Sequence, residues 1–309
     1  MNGLTPAKNT KATLEMVLAM MLSGTIGYFV ISSGQSFWNV VFFRCLIGAA
    51  TLGIYAYFRG ILPRSVFQKT TLLLIIFGGI TLVGNWIFLF ASFDFIPFSI
   101  ATMAYHTQPL MLVLVSALIA RQRIAPSLLL WLVVSFSGLL LVAELDVQHL
   151  MDLFSAEGAT KNALLGLILA LAAALLYTMT TLVTKRVEQV PSYLIALIQV
   201  CVGIVMLLPF VQFSQLPQST MPWVDLIILG VVNTGFMYVI MYDAFQKLPT
   251  NLIAILSFIY PITALFVDYI AFSTQITLWQ GIGVGLILLS VAAVKFNWNL
   301  ARFRSVKRA

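Results

Sequence analysis

A chain of 309 residues that is 61% hydrophobic and only 9% charged, with a mean hydropathy of +1.02, cannot cover itself with a water-soluble surface, for which about a quarter of the residues are charged. Its long apolar runs need lipid, and helices are the form in which such a chain crosses the ~30 Å hydrocarbon core, about 20 residues at a time. The net charge of +7 comes from basic residues at span ends and in a basic tail facing anionic lipid, so no nucleic-acid partner is called for.

Taken in order, apolar runs broken by charged or turn residues predict ten spans, at 12–33, 36–58, 70–91, 96–119, 126–143, 162–184, 193–213, 223–245, 250–272 and 277–295. The opening MNGLTPAKNTK lacks the order of regions that marks a signal peptide, so the first span is expected to be retained. The connections are short except Glu144 to Lys161, which holds Glu144, Asp146, His149, Asp152 and Glu157. The expected organisation is a five-span repeat over 12–143, an acidic extracytoplasmic linker over 144–161, a second repeat over 162–295 and a basic cytoplasmic tail over 296–309. With the N-terminus inside, every basic residue but Lys161 and Arg44 falls on the cytoplasmic side, as the positive-inside rule requires.

One stretch is written twice. Ile96 to Pro109 reads IPFSIATMAYHTQP, and Leu248 to Pro261 reads LPTNLIAILSFIYP. Adding 152 carries Pro97 onto Pro249, Pro109 onto Pro261 and Gly78 onto Gly230, so one half is a distorted copy of the other. Five spans per half is an odd number, and the copies must therefore run antiparallel. Inverted repeats mark secondary transporters, whose substrate site lies near mid-membrane between the repeats. A channel fits the same architecture.

Several segments together resemble the EamA family of the drug/metabolite transporter superfamily. VFFRCLIGA looks like that family's arginine-bearing second helix. GGITLVGNWIFLFA and LGVVNTGFMYVIMYDAF lead into the doubled-proline spans, and SGLLLV and GVGLILLSV resemble its small-residue fifth and tenth helices. The resemblance covers roughly 12–295. It implies an all-α membrane protein of ten helices in two inverted five-helix repeats, dimer contacts through the fifth and tenth, and transport of small organic metabolites, often outward across a bacterial inner membrane. Family members commonly carry an acid just after the fourth and ninth helices. Here those places hold Arg121 or Gln122 and Thr274 or Gln275, with Asp268 more than a turn early, so no coupling role carries over.

Candidate site residues follow from what is expensive in lipid. Arg44, near mid-depth in span 2, costs several kcal/mol to insert, and is either an anion clamp or a structural tie to backbone carbonyls. Pro109 and Pro261 free a carbonyl one turn earlier and kink their spans. In span 4 the opened turn coincides with the polar run His106, Thr107, Gln108, whereas the second copy, Phe258, Ile259, Tyr260, is apolar and aromatic. Asn85, Trp86, Tyr105, Tyr177, Asn233 and Tyr238 are further candidate substrate contacts, Tyr242 beside them, with interhelical glue as the alternative. Gly24 and Gly27 are candidate flexing points or packing positions. Glu15 and Asp243, near the inner ends of spans 1 and 8, are proton or gate acids, or water-facing interface acids; no Glu15–Arg44 pair is expected.

Neither a P-loop nor a metal or catalytic cluster is written in the chain, so no cofactor and no enzymatic activity are expected. Cys45 and Cys201 are expected to be packing residues. The function expected is export of amino acids or amino-acid-derived carboxylates, with a nucleotide-like or cofactor-like metabolite next, and a membrane scaffold or lipid-handling protein as the alternative from a different class.

Overall fold

The computed structural model describes residues 6–60, 68–144 and 159–298. The linker residues Asp146, His149, Asp152 and Glu157, together with Arg64 and the tail residues Arg302, Arg304, Lys307 and Arg308, lie outside that set. Among the described residues, nine helical segments are long and apolar enough to cross a membrane: Thr10–Ser32 (span 1), Phe37–Arg59 (span 2), Lys69–Ser92 (span 3), Ile100–Ala120 (span 4), Asn162–Arg186 (span 6), Ser192–Phe210 (span 7), Thr220–Lys247 (span 8), Thr250–Phe272 (span 9) and Leu278–Lys295 (span 10). A shorter apolar helix, Pro126–Val142, forms span 5. Its 17 residues rise about 25 Å, a mismatch that a bilayer accommodates by local thinning. Side chains such as Leu118, Val205, Ile270 and Leu278 stand exposed on the outside, the surface that lipid covers.

Four spans are interrupted, each for a local reason. Span 4 consists of Phe98–Tyr105 and Gln108–Ala120, and span 9 of Thr250–Leu256 and Ile259–Phe272. In both, the break falls just ahead of Pro109 or Pro261, where the ring removes an amide and clashes with the preceding turn. Span 1 breaks at Thr25, between Pro6–Gly24 and Ile26–Ser32. Span 8 does not break but widens into a π-helical turn, Val231–Phe236. Its counterpart, span 3, is regular α-helix throughout Lys69–Ser92.

The packing repeats under a two-fold exchange of halves. Span 3 lies along span 6 as span 8 lies along span 1; span 4 lies against span 6 as span 9 lies against span 1; span 7 packs on span 3 as span 2 packs on span 8. Spans 2 and 7, 4 and 9, and 5 and 10 pair with each other across the axis. The span 5–span 10 contact is tightest at Gly138 and Gly283: a Cβ on either would sit 2.7 or 2.5 Å from the other's carbonyl oxygen. These two glycines exist for close approach.

The two ends of the bundle differ. One gathers Lys11, Arg59, Lys69, Arg121, Lys185, Lys247 and Lys295, and is tied by Lys295 Nζ donating to Thr13 Oγ1 at 2.8 Å and Lys185 Nζ donating to the Leu248 carbonyl. The other is aromatic. Phe37 stacks on Phe90 at 4.9 Å, Trp38 stacks on Phe210 at 5.0 Å, and the Gln212 amide donates to Asn39 Oδ1 at 2.8 Å.

Candidate functional site

The site is built from spans 2, 3 and 8 on one side and from spans 4, 6 and 9 on the other. Arg44 projects from span 2 and is only 6% exposed. Its Nε donates to Thr234 Oγ1 at 3.3 Å, and the Thr234 hydroxyl donates in turn to the Leu229 carbonyl at 2.8 Å, five residues back across the π turn. The guanidinium carbon lies 5.5 Å from the centroid of Trp86 on span 3, a cation–π distance. Among the described residues the guanidinium makes no other hydrogen bond, and the described ion pairs join Lys11 to Glu15 and Lys247 to Asp243 instead. A buried arginine is thus held at its neck and flank, with the fork of terminal nitrogens unoccupied by protein.

Tyr238, 4% exposed, lies within electrostatic reach of Arg44 and continues the wall. Beyond it comes an aromatic group drawn from three other spans. The His106 ring stacks on Tyr260 at 5.2 Å and 26°, Tyr105 meets His106 edge-on at 6.1 Å, and Tyr105 lies 6.2 Å from Tyr177. His106 Nδ1 is 2.6 Å from the Thr102 carbonyl. That contact places the proton on Nδ1 and leaves Nε2 as an acceptor. Tyr105, His106, Tyr177 and Tyr260 all keep accessible surface while facing one another, which is how side chains line an interior space. Gln108 is 5% exposed, and its backbone carbonyl accepts from Thr178 Oγ1 at 3.4 Å.

The two asparagines are fully buried and partly committed. Asn233 Nδ2 donates to the Leu22 carbonyl at 2.7 Å and to Thr25 Oγ1 at 3.1 Å, bracing the break in span 1. Asn85 Nδ2 donates to the Leu82 carbonyl of its own helix at 2.5 Å. In each the amide oxygen, Oδ1, is buried without a partner.

A model of the EamA-like transporter family matches residues 10–143 and, a second time, residues 164–296. The chain belongs to that family. It is a multi-pass membrane transporter, not an enzyme. Among its relatives, the uncharacterized transporter YxxF of Bacillus subtilis (strain 168) is 27% identical over 291 residues, which span 94% of this chain and 91% of that protein. A solved crystal structure 18% identical in sequence matches with a TM-score of 0.77, covering 91% of this chain and 96% of its own, a likeness of fold.

Other features of this EamA-like transporter come from packing. Gln199 on span 7 is fully buried, accepts from the Tyr242 hydroxyl at 2.5 Å, and leaves its Nε2 without a partner among the described residues. The repeat did not mark it, because the step of 152 sets it opposite the apolar Ile47. Span 6 contributes a run of buried threonines, Thr178, Thr180, Thr181 and Thr184, of which Thr180 meets Thr81 at 2.9 Å. Glu15 and Asp243 lie within electrostatic reach of each other at the basic end, where span 1 packs along span 8, each flanked by its own lysine, Lys11 or Lys247. Glu15 makes no pair with Arg44. Gly24 is a contact point, since a Cβ there would lie 2.5 Å from Thr263 Cβ, whereas Gly27 faces open space. Cys45 is buried and Cys201 exposed, both as free thiols; a Cβ on Gly203 would lie 2.7 Å from Cys45 Sγ.

Proposed function

We propose that this EamA-like transporter works by alternating access between its two halves and moves a small organic metabolite bearing a carboxylate, with amino acids and amino-acid-derived acids as the first class. The carrying observation is the open fork of Arg44, buried to 6% exposure and facing no carboxylate among the described residues. A planar guanidinium with both terminal nitrogens vacant suits a bidentate carboxylate. Trp86, Tyr238, Tyr105, Tyr177, His106 and Tyr260 supply walls for the side chain, with Gln108 at the turn ahead of Pro109.

The basic residues collected at one end support both termini in the cytoplasm of a bacterial inner membrane, and outward transport follows the family's habit. A second reading, a nucleotide-like or cofactor-like metabolite taken up or exchanged, has the stacked His106–Tyr260 pair in its favour, because flat rings offer a platform to a flat heterocycle.

Counterflow in proteoliposomes across amino acids, their amides, their decarboxylated amines and nucleotides tests these readings. Saturable exchange of the acids alone is expected. In Arg44→Lys the apparent affinity should fall at least about tenfold, or ~1.4 kcal/mol, with normal elution and helical content. Exchange of the amides or amines as fast as the acids overturns the carboxylate reading.

A further inference from the structure

A second site lies at the basic end, away from Arg44. Spans 5, 9 and 10 enclose a cavity of about 390 Å³ whose polar lining is Ser127, Trp131, Asn251, Lys295, Asn297 and Trp298. The end of span 10 builds its roof. Asn297 takes a left-handed conformation at φ 53°, the Asn297 amide donates to the Val294 carbonyl at 3.3 Å, and the Trp298 amide donates back to the Ala293 carbonyl at 2.8 Å. This is a Schellman closure, and asparagine is among the few residues that take its φ readily. The reversal carries Trp298 over Trp131 of span 5, with ring centroids 6.4 Å apart.

The charged and indole groups of the lining are donors. Lys295 Nζ gives one hydrogen bond to Thr13 Oγ1 at 2.8 Å, and an ammonium has three to give. Trp131 Nε1 is buried with no acceptor among the described residues, and indole N–H can only donate. Among the described residues, no carboxylate lines the cavity. An enclosure with charged and indole donors in excess calls for an oxyanion. Its setting supplies the rest of the ligand: Phe296 is 69% exposed at the rim, and Leu129, Leu130 and Val133 stand exposed along span 5, where acyl chains would lie.

We propose that this cavity holds the phosphate of an anionic phospholipid headgroup, with Lys295 and the Trp131 indole as its donors. Basic pockets between spans near the membrane surface are built for such groups.

The test uses the full-length transporter in mild detergent, incubated with phosphatidylglycerol, phosphatidylcholine or both, and read by native mass spectrometry. Wild type should retain phosphatidylglycerol over phosphatidylcholine. Lys295→Gln and Trp131→Phe should each lose several-fold of that retention, while Lys295→Arg keeps it. Trp131→Phe keeps an aromatic six-membered ring but removes the pyrrole ring with its N–H, so its melting temperature is measured beside its lipid retention as the folding control. Equal retention of the two lipids by wild type, or undiminished retention in Trp131→Phe, overturns the proposal. Displacement of the lipid by millimolar inorganic phosphate assigns the donors to a free anion and overturns the lipid headgroup.

Discussion

Gln199 stands in the second half where Ile47 stands in the first. The step of 152 that carries Gly78 onto Gly230 also carries Ile47 onto Gln199, Thr51 onto Gly203 and Arg44 onto Ala196, and the contacts follow the same rule. A Cβ at Gly78 would lie 2.5 Å from Gln199 Nε2, as one at Gly230 would lie 2.5 Å from Ile47 Cβ. A Cβ at Gly203 would lie 3.2 Å from Val83, as one at Gly235 would lie 2.8 Å from Thr51. The first half therefore carries the buried charge of Arg44 where the second has alanine, and the second carries a buried amide where the first has isoleucine. Under the proposed function, that asymmetry sets which way round the ligand binds.

Removing the amide tests its structural share. Gln199→Leu leaves the buried Tyr242 hydroxyl, 0% exposed, without its acceptor, at a cost of about 1–3 kcal/mol. A fall in the thermal midpoint in detergent is expected, and adding Tyr242→Phe should recover part of it. A double-mutant cycle reads the coupling, and strict additivity would show that the hydrogen bond carries none of the loss.

The aromatic wall gives a kinetic prediction. Tyr260→Ala removes the ring on which His106 stacks at 5.2 Å, and such a pair is worth about 0.5–1.5 kcal/mol beyond the area it buries. The half-saturation concentration in counterflow should rise two- to tenfold. Tyr260→Phe should stay near wild type, because the ring and not the hydroxyl makes the stack.

Two glycines of one span separate contact from composition. Gly283→Ala places a methyl 2.5 Å from the Gly138 carbonyl oxygen, whereas a methyl at Gly281 meets nothing within 4 Å. The first should destabilise by about 1–3 kcal/mol, as overpacking does, and the second should leave the melting temperature unchanged or raise it slightly, because alanine favours helix by up to about 1 kcal/mol over glycine. A stabilising response at both positions would show that helix propensity, not the span 5–span 10 contact, sets the response.

The facing acids at the basic end bear on energy coupling. Glu15 and Asp243 keep 16% and 27% of their side-chain surface and lie within electrostatic reach of each other where span 1 packs along span 8. In Asp243→Asn, flux driven by an imposed proton gradient is expected to fall while counterflow persists. Parallel loss of both would mark the pair as part of the gate itself.

Much of this fold was legible in the chain because lipid imposes a one-dimensional rule. Apolar length gives the spans, and the doubled prolines give the broken helices of spans 4 and 9. Arg44 was visible because a charge at that depth has few explanations. What sequence did not disclose was which faces meet. Gln199 looks in hydropathy like any polar residue in a span, and the repeat sets it opposite the apolar Ile47, so nothing in the chain marks it. The meeting of Glu15 with Asp243 depends on span 8 lying along span 1, a contact between residues more than two hundred positions apart. Asn233 read either as a substrate contact or as interhelical glue, and its Nδ2 is committed to Leu22 and Thr25 of span 1, because the break at Thr25 left a carbonyl for it to reach.

The π turn of span 8 changes winding without changing length. One step of 152 carries Gly78 onto Gly230 ahead of the turn and Pro97 onto Pro249 beyond it, so neither copy holds a residue that the other lacks. A π turn is wider than an α turn and rotates the chain by less than the ~100° per residue of an α-helix. Span 3 has no such turn, so the two copies fall out of phase at the depth of the site. Thr234 lies inside the turn with its hydroxyl bonded five residues back, and Tyr238 and Tyr242 come just after it, 5.2 Å apart, aimed in a direction that the equal-length span 3 does not copy.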